Sequence, residues 1–389
     1  MIFSLPFRPA LLALASLAAT APWALAQQAA PQPTLTPAAA YAPAALRQDI
    51  ITGAYELVEI PALNQLIVAS SPGFEGALPG YLHALDPTDL HQIRRVQLPR
   101  RAFALAFEPQ TGRLYVGNTL DGALSVVDAA SGMLLDTIQL GQKQEGDKGY
   151  EHTRMIALDP DKGLAFVTSP TETGTLWIVD TRAGKLKQRI DGIGQWAAGL
   201  AYDPAAGRLY VSGGGPEEIS VIDVATGTRI GALATGDTPP GTPQDDSRHF
   251  FVNLDIDTAG QRLFAADSSS GQLYVFDLAS GKLVKTLAIG ISALDVLYNA
   301  ARDEIYLTWR GEGRQGPRGT GGLAVVDGKD LTLRQNLDLP AHPNSLTLAE
   351  GGQVLYATVK APRDKENPAY RDGAVDSVLR LDLRTLAAK

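Results

Sequence analysis

Three of the five histidines, His152, His249 and His342, stand at similar places in the chain, each a few residues ahead of a short apolar segment. Imidazoles brought together from three such segments would bind a transition metal, with Glu151 as a fourth donor. No HxH or HExxH spacing accompanies them, so this chemistry depends wholly on whether the fold makes them converge. Eight residues before the end of each apolar segment stand Gly53, Arg101, His152, Trp196, Phe250, Ser292 and His342. Two residues further in stand Tyr55, Phe103, Arg154, Ala198, Val252, Leu294 and Asn344. Cations at Arg101 and Arg154, imidazoles at His152 and His342, the amide of Asn344 and the rings of Trp196 and Phe250 would suit an anionic group with a stackable body. The means are charge-assisted hydrogen bonds and cation–π contacts. The competing expectation is that the two rings plug a channel as core while the arginines pair with acids at its rim. Neither set contains an acid, so the mouth they form is expected to carry no negative charge.

Residues 309–321 add Trp309 as a stacking surface and Arg310, Arg314 and Arg318 as a basic loop, and Arg248 puts a further cation beside His249. Gly311, Gly313 and Gly316 match the dinucleotide pattern G-x-G-x-x-G by accident, because strand-like sequence follows where that motif needs a helix. No G-x-S-x-G elbow is present, and there is no cysteine for disulfides, thiolate metal sites or iron–sulfur clusters. These absences lean against an enzyme and lead to an expectation of no cofactor. The alternative kept open is a metal-dependent oxidoreductase or lactonase-like enzyme using His152, His249 and His342.

The elements that must position these residues repeat along the chain. A turn followed by a short strand with an aromatic or apolar centre appears as QLIVA (65–69), GRLYV (112–116), GLAFV (163–167), GRLYV (207–211), QRLFA (261–265), EIYL (304–307) and QVLYA (353–357). A second strand follows each copy and runs into an aspartate: Asp86, Asp128, Asp180, Asp223, Asp277, Asp327 and Asp382. Two independent markers count seven units of roughly 40 to 55 residues, which is the sequence form of a propeller blade. The predicted fold is therefore all-β, a seven-bladed propeller with four antiparallel strands per blade. Only a few residues follow Asp382, while residues 46–52 stand where other units carry their outermost strand. The N-terminal strand is thus expected to complete the last blade, removing an exposed edge. With the strands of a unit named A to D from the inside outward, the aromatic-centred copy being B and the strand that ends in aspartate C, the A–B and C–D turns are short, so the long loops (71–80, 141–154, 236–251, 309–321 and 360–376) fall on one face, where ligands are expected.

Residues 1–26 combine one charge, Arg8, with an apolar run and the triplet Ala24, Leu25, Ala26, the pattern of a secretory signal cleaved after Ala26. Residues 27–45 are Pro, Ala and Gln without charge, a linker. Residues 46–389 form the propeller, expected to be an exported, periplasmic monomer with no membrane insertion after cleavage.

The strand copies, especially Leu114, Tyr115, Val116 with Asn118 and Leu209, Tyr210, Val211, and the turn Val221 to Gly227 resemble those of the YVTN-repeat propellers. The whole exported chain looks like the periplasmic YncE-like proteins. That resemblance implies a binding propeller without a catalytic set, and single-stranded DNA binding, which is attributed to a member of the group. The chain itself is acidic, with 34 basic against 42 acidic side chains and a net charge of -8. Its loop-rich face also sums to a negative charge, so a duplex-sized basic surface is excluded. A small anionic ligand, a single strand of nucleic acid or a protein segment reaching only the mouth remains compatible with that balance.

Overall fold

The computed structural model describes residues 45–386 except 147–148, 244–245, 312–320, 340–341 and 368. The predicted signal and nearly all of the linker, together with Arg314 and Arg318, therefore lie outside the described residues. The described residues form seven four-stranded antiparallel sheets, six of them in simple sequence order. The seventh is built from both ends: Leu46–Ile51 pairs with Asp376–Asp382, followed inward by Val354–Lys360 and His342–Ala349. The expected ring closure is what the fold shows. No helix among the described residues is long and apolar enough to cross a membrane.

The strand patterns explain the stacking. Strands B and C are buried along almost their whole length, as in LAFVTS (164–169) and TLWIVD (175–180), because each blade is covered by a neighbour on both faces. Outer strands such as KLVKTLA (282–288) alternate with solvent. Apolar clusters fill the seams between consecutive blades. Tyr210, Ile219, Phe251 and Leu263 join blades 4 and 5, and Ile51, Leu57, Leu66, Tyr356 and Val378 join blades 7 and 1.

The aspartate ending each strand C earns its recurrence through turn geometry. Asp128 accepts the Ser131 N–H at 2.8 Å, Asp223 that of Thr226 at 2.8 Å and Asp277 that of Ser280 at 2.7 Å. A second device links blades near the axis. The hydroxyls of Thr168, Thr308 and Thr358, all on strand B, donate to the carbonyls of Ala198, Asn344 and Tyr55 in the next blade, at 2.9, 3.3 and 2.7 Å. The innermost strands of blades 1, 5, 6 and 7 are bulged against strand B, whereas those of blades 2, 3 and 4 are shorter and regular. A bulge adds a residue and re-aims its side chain.

Candidate binding site at the channel mouth

The bulge in blade 1 falls at Tyr55 and Glu56, between the pairs Ala54 with Ser70 and Leu57 with Val68. It presents Tyr55 to Phe103 of blade 2, with ring centres 4.2 Å apart and stacked, and to the edge of Phe74 at 5.8 Å. Each end of this aromatic pair carries a cation. The Lys360 ammonium lies 3.3 Å from the Tyr55 ring centre, and the Arg154 guanidinium 5.0 Å from that of Phe103. Lys360 ends strand B of blade 7 and also meets Asp376 at 3.2 Å. Burial pushes its pKa down to about 7, against the pull of Asp376. The charges of Arg310 and Arg363 act on both Lys360 and Tyr55. Arg310 donates to Asn344 Oδ1 at 2.9 Å, and Arg363 is exposed with no hydrogen bond or ion pair to a described residue.

Arg154 donates to Glu56 Oε1 at 3.2 Å and to Asn253 Oδ1 at 3.3 Å. Asn253 in turn donates to Asp295 at 2.5 Å. Here the expectation of a mouth without acids is corrected, because Glu56, Asp255 and Asp295 all lie on innermost strands. Each accepts a main-chain N–H from the next blade: Leu105 to Glu56 at 2.9 Å, Tyr298 to Asp255 at 2.6 Å and Leu346 to Asp295 at 2.7 Å. They satisfy backbone donors on the inner edges of three sheets, as a buried edge requires. Burial raises Glu56 to about 7, opposed by Arg154, and Asp255 to about 7; it raises Asp295 as well, against its hydrogen bond from Asn253.

The remaining candidates divide by what they touch. Arg101 is buried, and its guanidinium spends four donors on Asp121 and on the carbonyls of Gly73, Phe74 and Gly76. It holds loop 71–80 in place, which corrects its expected role as a ligand-facing cation. Trp309 is buried, donates to Asn336 Oδ1 at 2.8 Å, and packs so closely on Gly290 and Gly322 that a Cβ on either would come within 2.3 Å of the indole. It is core and offers no stacking surface. Phe250 is half-buried, with its N–H donated to Asp267 at 2.9 Å, and Arg248 is exposed. His342 sits in register with Lys360 at the start of blade 7's inner strand.

Trp196 is half-buried and adopts a left-handed φ of 60°, where its counterparts in blades 1 and 6, Gly53 and Ser292, have φ of 73° and 57°. The blade's entry turn imposes this conformation, and a bulky side chain there is strained. His152 is half-buried and has no hydrogen bond to a described residue. Burial, with the charges of Arg154 and Arg101, lowers it to about 4, so it is a neutral imidazole at neutral pH.

The three histidines do not assemble a metal centre among the described residues. His249 is instead clamped by two carboxylates, Nδ1 at 2.7 Å from Asp267 and Nε2 at 2.8 Å from Asp237. Burial works against its proton, but the paired acids outweigh it and raise the pKa to about 9. Missed by counting along the sequence were Glu56, Asp255, Asp295 and Lys360. The signal was available one residue beyond the second set, where Glu56, Asn253, Asp295 and Ser345 fall in the blades that prove to be bulged.

No family model matches the chain. YncE of Salmonella typhi is 30% identical over 339 residues, spanning 87% of this chain and 90% of that protein. YncE of Escherichia coli K12 is 29% identical over the same length and shares. Antigen Lp49 of Leptospira interrogans is 22% identical over 281 residues, 70% of this chain and 57% of its own. Among solved structures, hydrazine synthase of Kuenenia stuttgartiensis matches with a TM-score of 0.55 at 18% identity, over 66% of this chain and 73% of that one, a likeness of fold alone. Coverage of nearly the whole propeller at 30% identity, on a ring of seven blades closed by its first strand, makes this chain a member of the YncE family.

Proposed function

We propose that this chain is a non-enzymatic binding propeller of the periplasm whose channel mouth takes an anionic ligand with a planar body. The observation that carries the reading is the stack Lys360, Tyr55, Phe103, Arg154, a cation on each end of two packed rings, with Arg310 and the exposed Arg363 beside it. Around the stack the basic groups Lys360, Arg154, Arg310 and Arg363 meet the acids Asp376 and Glu56, with Lys360 and Glu56 each half neutral near pH 7, and burial also favours the neutral forms of Asp255 and Asp295. The local balance is therefore positive on a chain that is acidic elsewhere. Phosphate or carboxylate oxygens would meet the guanidinium groups, while a base or ring would lie against the aromatic residues of the mouth, including Trp196. Single-stranded DNA is the ligand of this kind that the YncE resemblance implies.

The test is titration of a fluorescent single-stranded oligonucleotide at several salt concentrations. Binding should weaken with salt, and exchange of both Arg310 and Arg363 for alanine should weaken it by about tenfold or more and flatten the salt dependence. Equal affinity in the parent and the double variant would place the anion elsewhere on the molecule.

A further inference from the structure

His249, Asp237 and Glu218 lie away from the channel stack, in the seam between blades 4 and 5. Glu218 precedes strand C of blade 4, Asp237 lies in the loop between the two blades, and His249 enters strand A of blade 5. One donor atom from each comes within 4.8 Å of the other two. Behind them, Asp267, fully buried, holds His249 Nδ1 at 2.7 Å and is itself fixed by the N–H groups of Phe250 and Ser269, each at 2.9 Å. That leaves Nε2 directed at Asp237, 2.8 Å away. A carboxylate behind one imidazole nitrogen, with the other nitrogen facing oxygen donors, is the arrangement by which proteins orient a metal-ligating histidine.

The charge balance points the same way. Asp237, Asp267 and Glu218 are three carboxylates around a single histidine. Glu218 is fully buried and, among the described residues, receives only neutral donors, the Thr235 N–H at 2.9 Å and the hydroxyls of Thr235 and Thr238 at 3.0 Å. Arg248 acts on Asp237 from the exposed side, and an ion taken up here would displace the proton between His249 Nε2 and Asp237. A buried carboxylate without a cation is costly, and a divalent ion would offset it.

We infer that His249, Asp237 and Glu218 form a binding site for a zinc-class divalent cation, with Asp267 as the positioning residue behind the histidine. One nitrogen and two carboxylates suit zinc with a water as fourth ligand, whereas calcium and magnesium prefer more oxygens. Asp237 is half-exposed, so the ion has a route in from solvent. The site shares only His249 with the three-histidine set and does not depend on the anion reading.

The experiment uses untagged full-length protein, stripped with chelator, desalted and titrated calorimetrically with zinc chloride. One equivalent should bind, and excess magnesium or calcium should not displace it. Asp237→Asn keeps an oxygen at a half-exposed position and should weaken binding about tenfold or more, with a cooperative melting curve recorded beside the parent's to show that the variant is folded. Asp89→Asn, in the surface turn where Asp86, Asp89 and His91 also cluster, should bind as the parent does. Less than a tenth of an equivalent bound, or undiminished affinity in Asp237→Asn, overturns the site.

Discussion

The ammonium of Lys360 rests 3.3 Å above the centre of the Tyr55 ring, joining strand B of the last blade to the innermost strand of the first. The contact spans blades 7 and 1, so a cation of the mouth also packs the last blade, which the N-terminal strand completes, against the first.

Because burial holds Lys360 near a pKa of about 7, its charge is present below that pH and lost above it. Affinity for an anion at the mouth should therefore fall as pH rises from 6 to 8, on the order of tenfold for one lost charge contact. In Lys360→Met the affinity should stay at every pH near the parent's value at pH 8, and the pH step should vanish. Titrations of the same oligonucleotide at four pH values would show it, and a step that persists in the variant would assign the titration to another group.

Glu56 gives a pH dependence of stability instead. Its folded pKa is raised from 4.5 to about 7, so the protonated form is favoured in the folded state. The resulting stabilisation is complete below the unfolded value and is lost as pH rises through 7. Relative to the parent, Glu56→Gln should gain stability between pH 4.5 and 8 by on the order of 2 kcal/mol. Urea unfolding of both proteins across that range checks the sign. A difference that shrinks or reverses would mean that Arg154 keeps Glu56 ionised.

Ring closure was legible in the sequence because its cause is local and repeated: seven aspartate turns, and one strand too few at the C-terminal end. The contents of the mouth were less so. Counting equal offsets assumes regular strands, and the bulges in blades 1, 5, 6 and 7 break that assumption where the acids lie. Arg154 enters a blade without a bulge, Arg310 follows the end of strand B in blade 6, and Asn344 falls within the bulge of blade 7, where it accepts from Arg310. Arg101 was misassigned because nothing in its sequence neighbourhood signals that the carbonyls of Gly73, Phe74 and Gly76 fold back onto it. Lys360 was missed because it stands at the head of a long loop outside the repeated pattern.

Removing the closing strand should be far more damaging than removing what precedes it. A chain beginning at residue 45 should melt with the full-length protein, whereas one beginning at residue 53 loses Ile51 from the seam between blades 7 and 1 and bares the edge of Asp376–Asp382. That edge carries unpaired backbone donors and acceptors, a template for association. Light scattering during a thermal ramp should report earlier melting and aggregation for the shorter chain alone; coincident curves would show that the strand is dispensable.

Trp196 separates a plugged channel from a binding one. Its left-handed backbone costs about 1 kcal/mol or more for a residue with a Cβ, and the equivalent glycine in blade 1 bears no such cost. If the half-buried indole is held at the mouth for a ligand, Trp196→Gly removes little packing and relieves the strain, so stability should change by no more than about 1 kcal/mol while oligonucleotide affinity falls. If the indole is instead core, the same exchange should destabilise by roughly 3 kcal/mol or more and leave affinity in the folded fraction unaltered. Denaturant unfolding and ligand titration on one variant thus distinguish the two. The first outcome would make the strained turn part of the binding surface, since the propeller retains a tryptophan where its own geometry favours glycine.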